Sequence, residues 1–296
     1  LPGEDERNLA GLEIDRFEGD VRDAQRMTEA VRDCDTVFHL AAVYALWHPR
    51  PALMQEVNVQ GTRNLLQAAR GAGVNRFVHC SSIAVFGGQG VGRDATEKSP
   101  FRLGETGDAY SQSKYDGHRV AQDFAADLDV VIVAPCGPVG PGDVGPTPTG
   151  KLLLAAMRLP ALIAIDTDTN FVHVADVAAG HLLAEKHGKT GETYLLGNQN
   201  LSFRELAAMI MDVTGRRKPV ARVPRRVARV GGQIGVRWAR HVTGKAPYFT
   251  PESIDIARLG LRADCSKAVR ELGLPQTPIR EALQEAVQWF EIQRPT

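Results

Sequence analysis

The sequence predicts an α/β fold, a doubly wound parallel sheet of the Rossmann type followed by a smaller, mainly helical lobe. Three observations predict it. Short apolar, β-branched runs recur at 12–17, 36–40, 76–80 and 130–134. Segments with apolar residues at every third or fourth position, 24–32, 53–71 and 110–126, lie between or beside those runs. The run VVIVAP is apolar throughout, as a strand covered on both faces must be. Strands alternating with helices of this length imply right-handed β-α-β crossovers, which place helices on both faces of one sheet.

The alternation breaks after Pro135. CGPVGPGDVGPTPTG reads as a long Gly/Pro-rich loop, and a helix over 151–157 follows it. Residues 170–185 read as strand then helix. Beyond Asn198 the chain turns mainly helical, with Ser202 as N-cap and Glu205 three residues on, the pattern of a capping box. We therefore expect a dinucleotide-binding domain over 1–145 with a return segment near 171–197. Residues 146–170 and 198–296 form the substrate lobe.

Composition narrows the function. The 296 residues are 43% apolar, enough for a sizeable core. Lys plus Arg number 35 and Asp plus Glu number 35, so net charge points to no nucleic acid or acidic partner. Four cysteines stand at no metal or redox spacing, and His39, His79, His173 and His181 show no H-x-x-x-H pattern. The expectation is no metal, and buried free thiols at Cys34, Cys80 and Cys136. No apolar run has the length to span a bilayer, and the polar start LPGEDERN is unlike a signal peptide, so the expected compartment is the cytoplasm.

The chemistry centres on Tyr110-Ser-Gln-Ser-Lys114. On a helix, positions i and i+4 share a face, so phenol and ammonium point the same way. A nearby ammonium is expected to bring the phenol pKa down from near 10, and such a Tyr can give or take a proton as hydride moves. The strand RFVHC ends in Ser81-Ser82, and open parallel sheets bind ligands at the carboxyl ends of their strands. The hydroxyl of Ser82 can meet a substrate oxygen there. TVFHLAA ends another strand in small residues, and FEGDVRD sets Asp20 at a strand end. An acyl-transfer reading fails for want of a G-x-S-x-G elbow.

GDVRD, FHLAA, NVQGTRNLLQAA, SSIAVFG, YSQSK, PVGPGD and FVHVADVAAGHLLA together resemble the extended short-chain dehydrogenase/reductases, the NAD-dependent epimerase/dehydratase superfamily. Within it the chain resembles the dihydroflavonol-reductase-like branch. GPTPTG, VHVADVAAGHLLA and VTGK are most similar to the hopanoid-associated sugar epimerase proteins. The resemblance implies Tyr110 as acid/base, Lys114 holding the nicotinamide ribose, and Ser82 orienting the substrate oxygen. It implies adenine contacts at Asp20 and Val21, and a backbone strip along the cofactor at Leu40, Ala41 and Ala42. Asn58 is implied as support for the site, and Pro135 as the start of the loop facing the nicotinamide. NAD or NADP is the implied cofactor, without a choice between them.

The family pattern opens with a strand, a G-x-x-G-x-x-G turn, a helix and a second strand. None of this unit precedes Leu1 in the sequence, and the expectation is that a longer chain carries it. GGQGVG at 87–92 follows the Ser82 strand and is not expected to replace that turn. The expected function is hydride transfer between nicotinamide and a secondary alcohol or ketone of a small molecule. A sugar-nucleotide epimerase using the same residues is one alternative, and a non-catalytic Rossmann-like binding or regulatory protein is another. The resemblance also implies a homodimer through helices 53–71 and 110–126. Finally, 224–245 carries arginines around the apolar stripe Val227, Val230, Ile234, Trp238 and Val242. Such a helix can lie on anionic lipid. The expectation is that the stripe packs inward and roofs the substrate pocket, with no membrane contact.

Overall fold

The computed structural model describes residues 5–164, 167–244, 247 and 249–293; Leu1 and Lys245, the last residue of VTGK, lie outside them. Four strands form the main sheet: β1 (Thr36–His39), β2 (Arg76–Cys80), β3 (Val130–Pro135) and β7 (Thr193–Leu196), all parallel and adjacent in that order. Between β3 and β7 come β4 (Gly137–Val139), β5 (Leu162–Ala164) and β6 (Asp168–His173). After β7 come β8 (Gln199–Ser202) and β9 (Val220–Arg222). β4, β6 and β8 build a second, mixed sheet, and β5 pairs with β9. Of the expected return segment, β7 joins the main sheet while β6 joins the second one.

Helices cover the main sheet on both faces. The first set is α1 (Ala24–Ala30), α2 (Ala52–Gln55), α3 (Thr62–Ala72) and α4 (Ala109–Phe124). Next come α5 (Pro148–Arg158), α6 (Val174–His187) and α7 (Phe203–Thr214), then α8 (Arg225–Trp238), α9 (Pro251–Leu259), α10 (Ser266–Leu272) and α11 (Ile279–Ile292). Successive strand residues point to opposite faces. Phe77, Val130 and Ile132 accordingly pack with Leu65, Leu66, Val120 and Ala121 of α3 and α4. Val78, Val131 and Val133 pack with Val177 and Ala184 of α6 and Ala268 and Leu272 of α10. A third core joins α5, α7 and α11 through Leu153, Ile210 and Leu283.

Three expectations change. Residues 12–17 form no strand, and Leu12, Ile14 and Phe17 stay exposed. A strand needs a ladder partner, and among the described residues β1 pairs with β2 alone. The Gly/Pro-rich stretch after Pro135 is not all loop, because Gly137–Val139 forms β4 against β6. Cys34 is exposed in the turn after α1 and Cys80 is half-buried, whereas Cys136 is buried as expected. Apolar neighbours in sequence did not place Cys34 in the core.

Between α2 and α3 the chain makes a π-helical turn, Glu56–Gly61. Extra residues in such a turn push one side chain inward, here Asn58, which is buried. α4 crosses this turn at Gly117, where a Cβ would lie 2.4 Å from the Asn58 carbonyl oxygen. Backbone cannot swing away as a side chain can. Gly117→Ala is therefore expected to destabilise the fold by about 1–3 kcal/mol, the scale of an overpacked contact. Urea unfolding beside Gly71→Ala, where a Cβ meets nothing within 4 Å, measures the difference.

Candidate active site

β1, β2 and β3 run side by side in register, so their carboxyl ends open on one edge. Such an edge is where an open parallel sheet binds its ligand. Leu40, Ala41 and Ala42 follow β1 and are exposed, leaving a strip of accessible backbone. Ser81 and Ser82 follow β2, and Pro135 closes β3. The edge thus carries a flat apolar strip, a hydroxyl and a turn.

The reacting groups come from α4. Asp108 caps its start: its carboxylate accepts from the Ser111 amide at 2.7 Å and the Ser111 hydroxyl at 2.6 Å. That cap sets Tyr110 in the first turn and Lys114 one turn later. Lys114 is buried, and its Nζ donates to the Cys80 carbonyl at 2.7 Å. Ser82 accepts from the Ala84 amide at 3.2 Å, and its hydroxyl meets the Tyr110 phenol. Ser82, Tyr110 and Lys114 are therefore brought together at the end of β2.

Asn58 ties this group to the strip. Its Nδ2 donates to the Ser113 hydroxyl at 2.9 Å and the Val43 carbonyl at 3.1 Å, and its Oδ1 accepts from the Val43 amide at 2.7 Å. The Ser113 hydroxyl in turn donates to the Tyr110 carbonyl at 2.8 Å. Asp20 and Val21 are held elsewhere, against α3: Asn64 donates to the carbonyls of Val21 and Arg22 at 3.0 Å each. Both Asp20 oxygens are engaged by Arg22, which holds the carboxyl down at about 2. In GGQGVG the amides of Gly88 and Gly90 donate to the carbonyls of Gly260 and Leu259.

The electrostatics correct one expectation. Burial, reinforced by the neighbouring Tyr44, raises the Tyr110 phenol above its ordinary value, and the Ser82 hydroxyl opposes this only in part. Lys114 is not among the groups that move the phenol; its Nζ bonds the Cys80 carbonyl, and burial lowers Lys114 itself. The resting phenol is neutral, a proton donor. Tyr44 was not legible as a site residue, yet its ring stands 5.0 Å from the Tyr110 ring. The aromatic residue two positions beyond the small-residue strip was the only signal for it.

Behind Lys114 lies a buried histidine group. His39 bonds the Thr62 hydroxyl at 2.9 Å, and His118 bonds the Ser81 hydroxyl at 3.0 Å. Neither ring nitrogen of His79 has a partner. Burial and the Lys114 charge push His39 down to about 3 and His118 to about 4. Burial pushes the Cys80 thiol up, but the His181 imidazole and Lys114 outweigh it and hold the thiol below its ordinary value. Among the described residues no group of His, Cys, Asp and Glu could hold a metal.

A cavity of about 190 Å³ opens beside the loop after β4. Val139, Leu153, Leu206, Ile210, Leu283 and Phe290 line it, with Asp143 at its polar side. Asp143 is near enough to Tyr44 to act on it: desolvation, then the carboxylates of Asp143 and Asp108, push that phenol up to about 12. Asp143 thus borders the cavity and also acts on Tyr44, the ring beside Tyr110.

Residues 3–197 match the model of the NAD dependent epimerase/dehydratase family. A dihydroflavonol 4-reductase-like protein of Synechocystis sp. is 37% identical, covering 96% of this chain and 84% of that protein. Sterol demethylase protein B of Methylococcus capsulatus is 34% identical over 95% of this chain and 86% of its own length. Among solved structures, a dTDP-glucose 4,6-dehydratase of Streptomyces venezuelae with NAD bound superposes with a TM-score of 0.77. It is 27% identical and covers 98% of this chain and 84% of that one.

The histidines set the acid limit of the fold. A histidine whose folded pKa lies below its unfolded value takes up its proton only on unfolding. Stability is then complete above the unfolded value near 6.5 and is lost as pH falls toward about 4. His118→Asn can keep a bond to Ser81 while removing the titration. Urea unfolding at pH 7 and pH 5 should show a shallower loss in this variant, by up to about 1.4 kcal/mol per pH unit below 6.5. Parallel slopes in the two proteins would contradict the assignment.

Proposed function

The chain belongs to the NAD dependent epimerase/dehydratase family, and we propose that it is a reductase or dehydrogenase acting on a secondary alcohol or ketone of a small, largely apolar molecule. One observation carries the reading. A neutral Tyr110 phenol, the Ser82 hydroxyl and the buried Lys114 ammonium converge at the carboxyl ends of adjacent parallel strands. The strip Leu40–Ala42, exposed on the same edge, fits a flat cofactor lying along backbone.

When bound, NAD or NADP supplies or takes up the hydride. In the reductive direction Tyr110 Oη delivers a proton to the substrate oxygen as the carbonyl carbon gains its hydride. Ser82 Oγ hydrogen-bonds that oxygen and holds it beside the phenol. Lys114 would hold the nicotinamide ribose, and Asn58 keeps α4 and the Leu40–Val43 strip in one frame. Pro135 would begin the turn facing the nicotinamide, and Asp20 and Val21 would contact the adenine. We further propose a homodimer through the outer faces of α2, α3 and α4.

An epimerase would use the same three groups on a nucleotide sugar. The apolar cavity favours the reductase, because a sugar diphosphate needs many polar partners.

The test is consumption of NADPH or NADH against a panel of ketones with apolar bodies, beside product analysis with nucleotide sugars. Tyr110→Phe should lower ketone turnover by about a hundredfold or more with cofactor affinity nearly kept, the scale of a lost general acid. Ser82→Ala should cost less, since the proton donor stays. Lys114→Ala should weaken both turnover and cofactor binding. Near-normal turnover in Tyr110→Phe would refute the assignment of the proton donor.

A further inference from the structure

We infer that α8 is a docking element that rests on the surface of an anionic phospholipid bilayer. The expectation that its apolar stripe packs inward is overturned by the structure. The face turned to the protein is made of small residues, Ala228, Gly232, Gly235 and Ala239, at steps of one helical turn. They allow close packing on the segment leading into α9. A Cβ at Gly232 would lie 3.2 Å from the backbone of Thr250 and Pro251, and one at Gly235 would lie 3.3 Å from Pro247. The bulky residues are left outside: Val227, Val230, Ile234, Trp238 and Val242 are 61%, 56%, 63%, 61% and 61% exposed.

This inverts the usual surface helix, which buries its large apolar side chains. Five such residues in one line exceed the scattered apolar exposure of an ordinary surface. The second observation is charge. Arg225, Arg226, Arg229, Arg237 and Arg240 stand within 225–243, where there is no Asp or Glu, although the whole chain is balanced at 35 to 35. Arg229 is paired with Asp255 at 2.9 Å. Among the described residues, Arg226, Arg237 and Arg240 form no ion pair.

The basic face continues into a cleft of about 430 Å³ lined by Arg225, Arg226, Arg229 and Arg258, with Asp255 and Glu105. An apolar stripe that includes a Trp, bordered by unpaired cations, is the pattern of a helix lying in the bilayer interface. A second copy of the chain fits less well, because two-fold pairing of this face would bring arginines against arginines. No helix among the described residues is long and apolar enough to cross a membrane, so the contact is peripheral.

The helix is also well placed. α8 packs on α9 through Ala228 and Ile254. Ile256 and Leu259 of α9 join Leu46, Leu103 and Tyr110 in one apolar cluster. The docked hairpin is therefore the one that covers the Tyr110 side of the site. Docking stands on the helix itself and does not depend on the chemistry assigned to Tyr110.

The full chain, mixed at low salt with vesicles of phosphatidylglycerol and phosphatidylcholine, should co-sediment with them and shift its tryptophan emission to the blue. Pure phosphatidylcholine vesicles should bind about tenfold less or weaker still, and added salt should release the protein. Ile234→Glu with Trp238→Glu should abolish binding. Arg226→Gln, Arg237→Gln and Arg240→Gln should each weaken it about fivefold. All five side chains are exposed, so circular dichroism should stay unchanged. Absence of binding to the anionic vesicles, or equal binding by the Ile234→Glu/Trp238→Glu protein, would overturn the proposal. So would a dimer that the same variant converts to monomer while vesicles are ignored, since the stripe would then be an interface between copies.

Discussion

The arrangement at the sheet edge depends on one buried cation. The Lys114 ammonium is taken out of water, and a charge so placed must find a fixed partner. Its partner is the carbonyl of Cys80, the last residue of β2. That bond sets α4 against the end of the sheet, and Tyr110 follows because it lies one turn earlier on the same face. The charge also reaches outward, contributing to the depressed pKa values of His39, His79 and His118. His39, His79 and His118 can share this space with the lysine because burial keeps them neutral, whereas the Cys80 thiol raises His181 and is itself lowered by it. From the other side Asn58 and Ser113 hold the same turn of α4, and the Asp108 carboxylate caps its start.

Much of this was legible in the residues, for identifiable reasons. β3 is a continuous apolar run, β2 carries Phe77 and Val78 at its centre, and α3 and α4 carry helical periodicity, so local pattern and tertiary burial agree. Tyr110 and Lys114 are linked by helix geometry alone, and Ser82 by its place at a strand end. What local pattern could not supply is pairing and orientation. Residues 12–17 have strand composition, but a strand exists only where another backbone offers its ladder. The amphipathic period of 225–242 identified two unlike faces without saying which one meets the protein. The glycines decided that, because close approach to the Thr250 backbone excludes a bulky stripe.

The sign of the Tyr110 shift was misjudged for a related reason. Spacing of i and i+4 shows that phenol and ammonium share a face, but not where the ammonium's hydrogen bond goes. The ammonium bonds the Cys80 carbonyl, while desolvation governs the phenol and Tyr44 deepens that effect. A raised phenol is protonated at rest and so is poised as a proton donor.

The central claim is that Tyr110 rests as a neutral proton donor. The pH dependence of the limiting reductive rate, with a ketone the enzyme turns over, tests it most directly. A phenol raised above its ordinary value near 10 predicts a rate flat from neutrality to about pH 9. A rate that falls with a midpoint near 7, and loses that midpoint in Tyr110→Phe, would mean the phenolate forms near neutrality and would contradict the account.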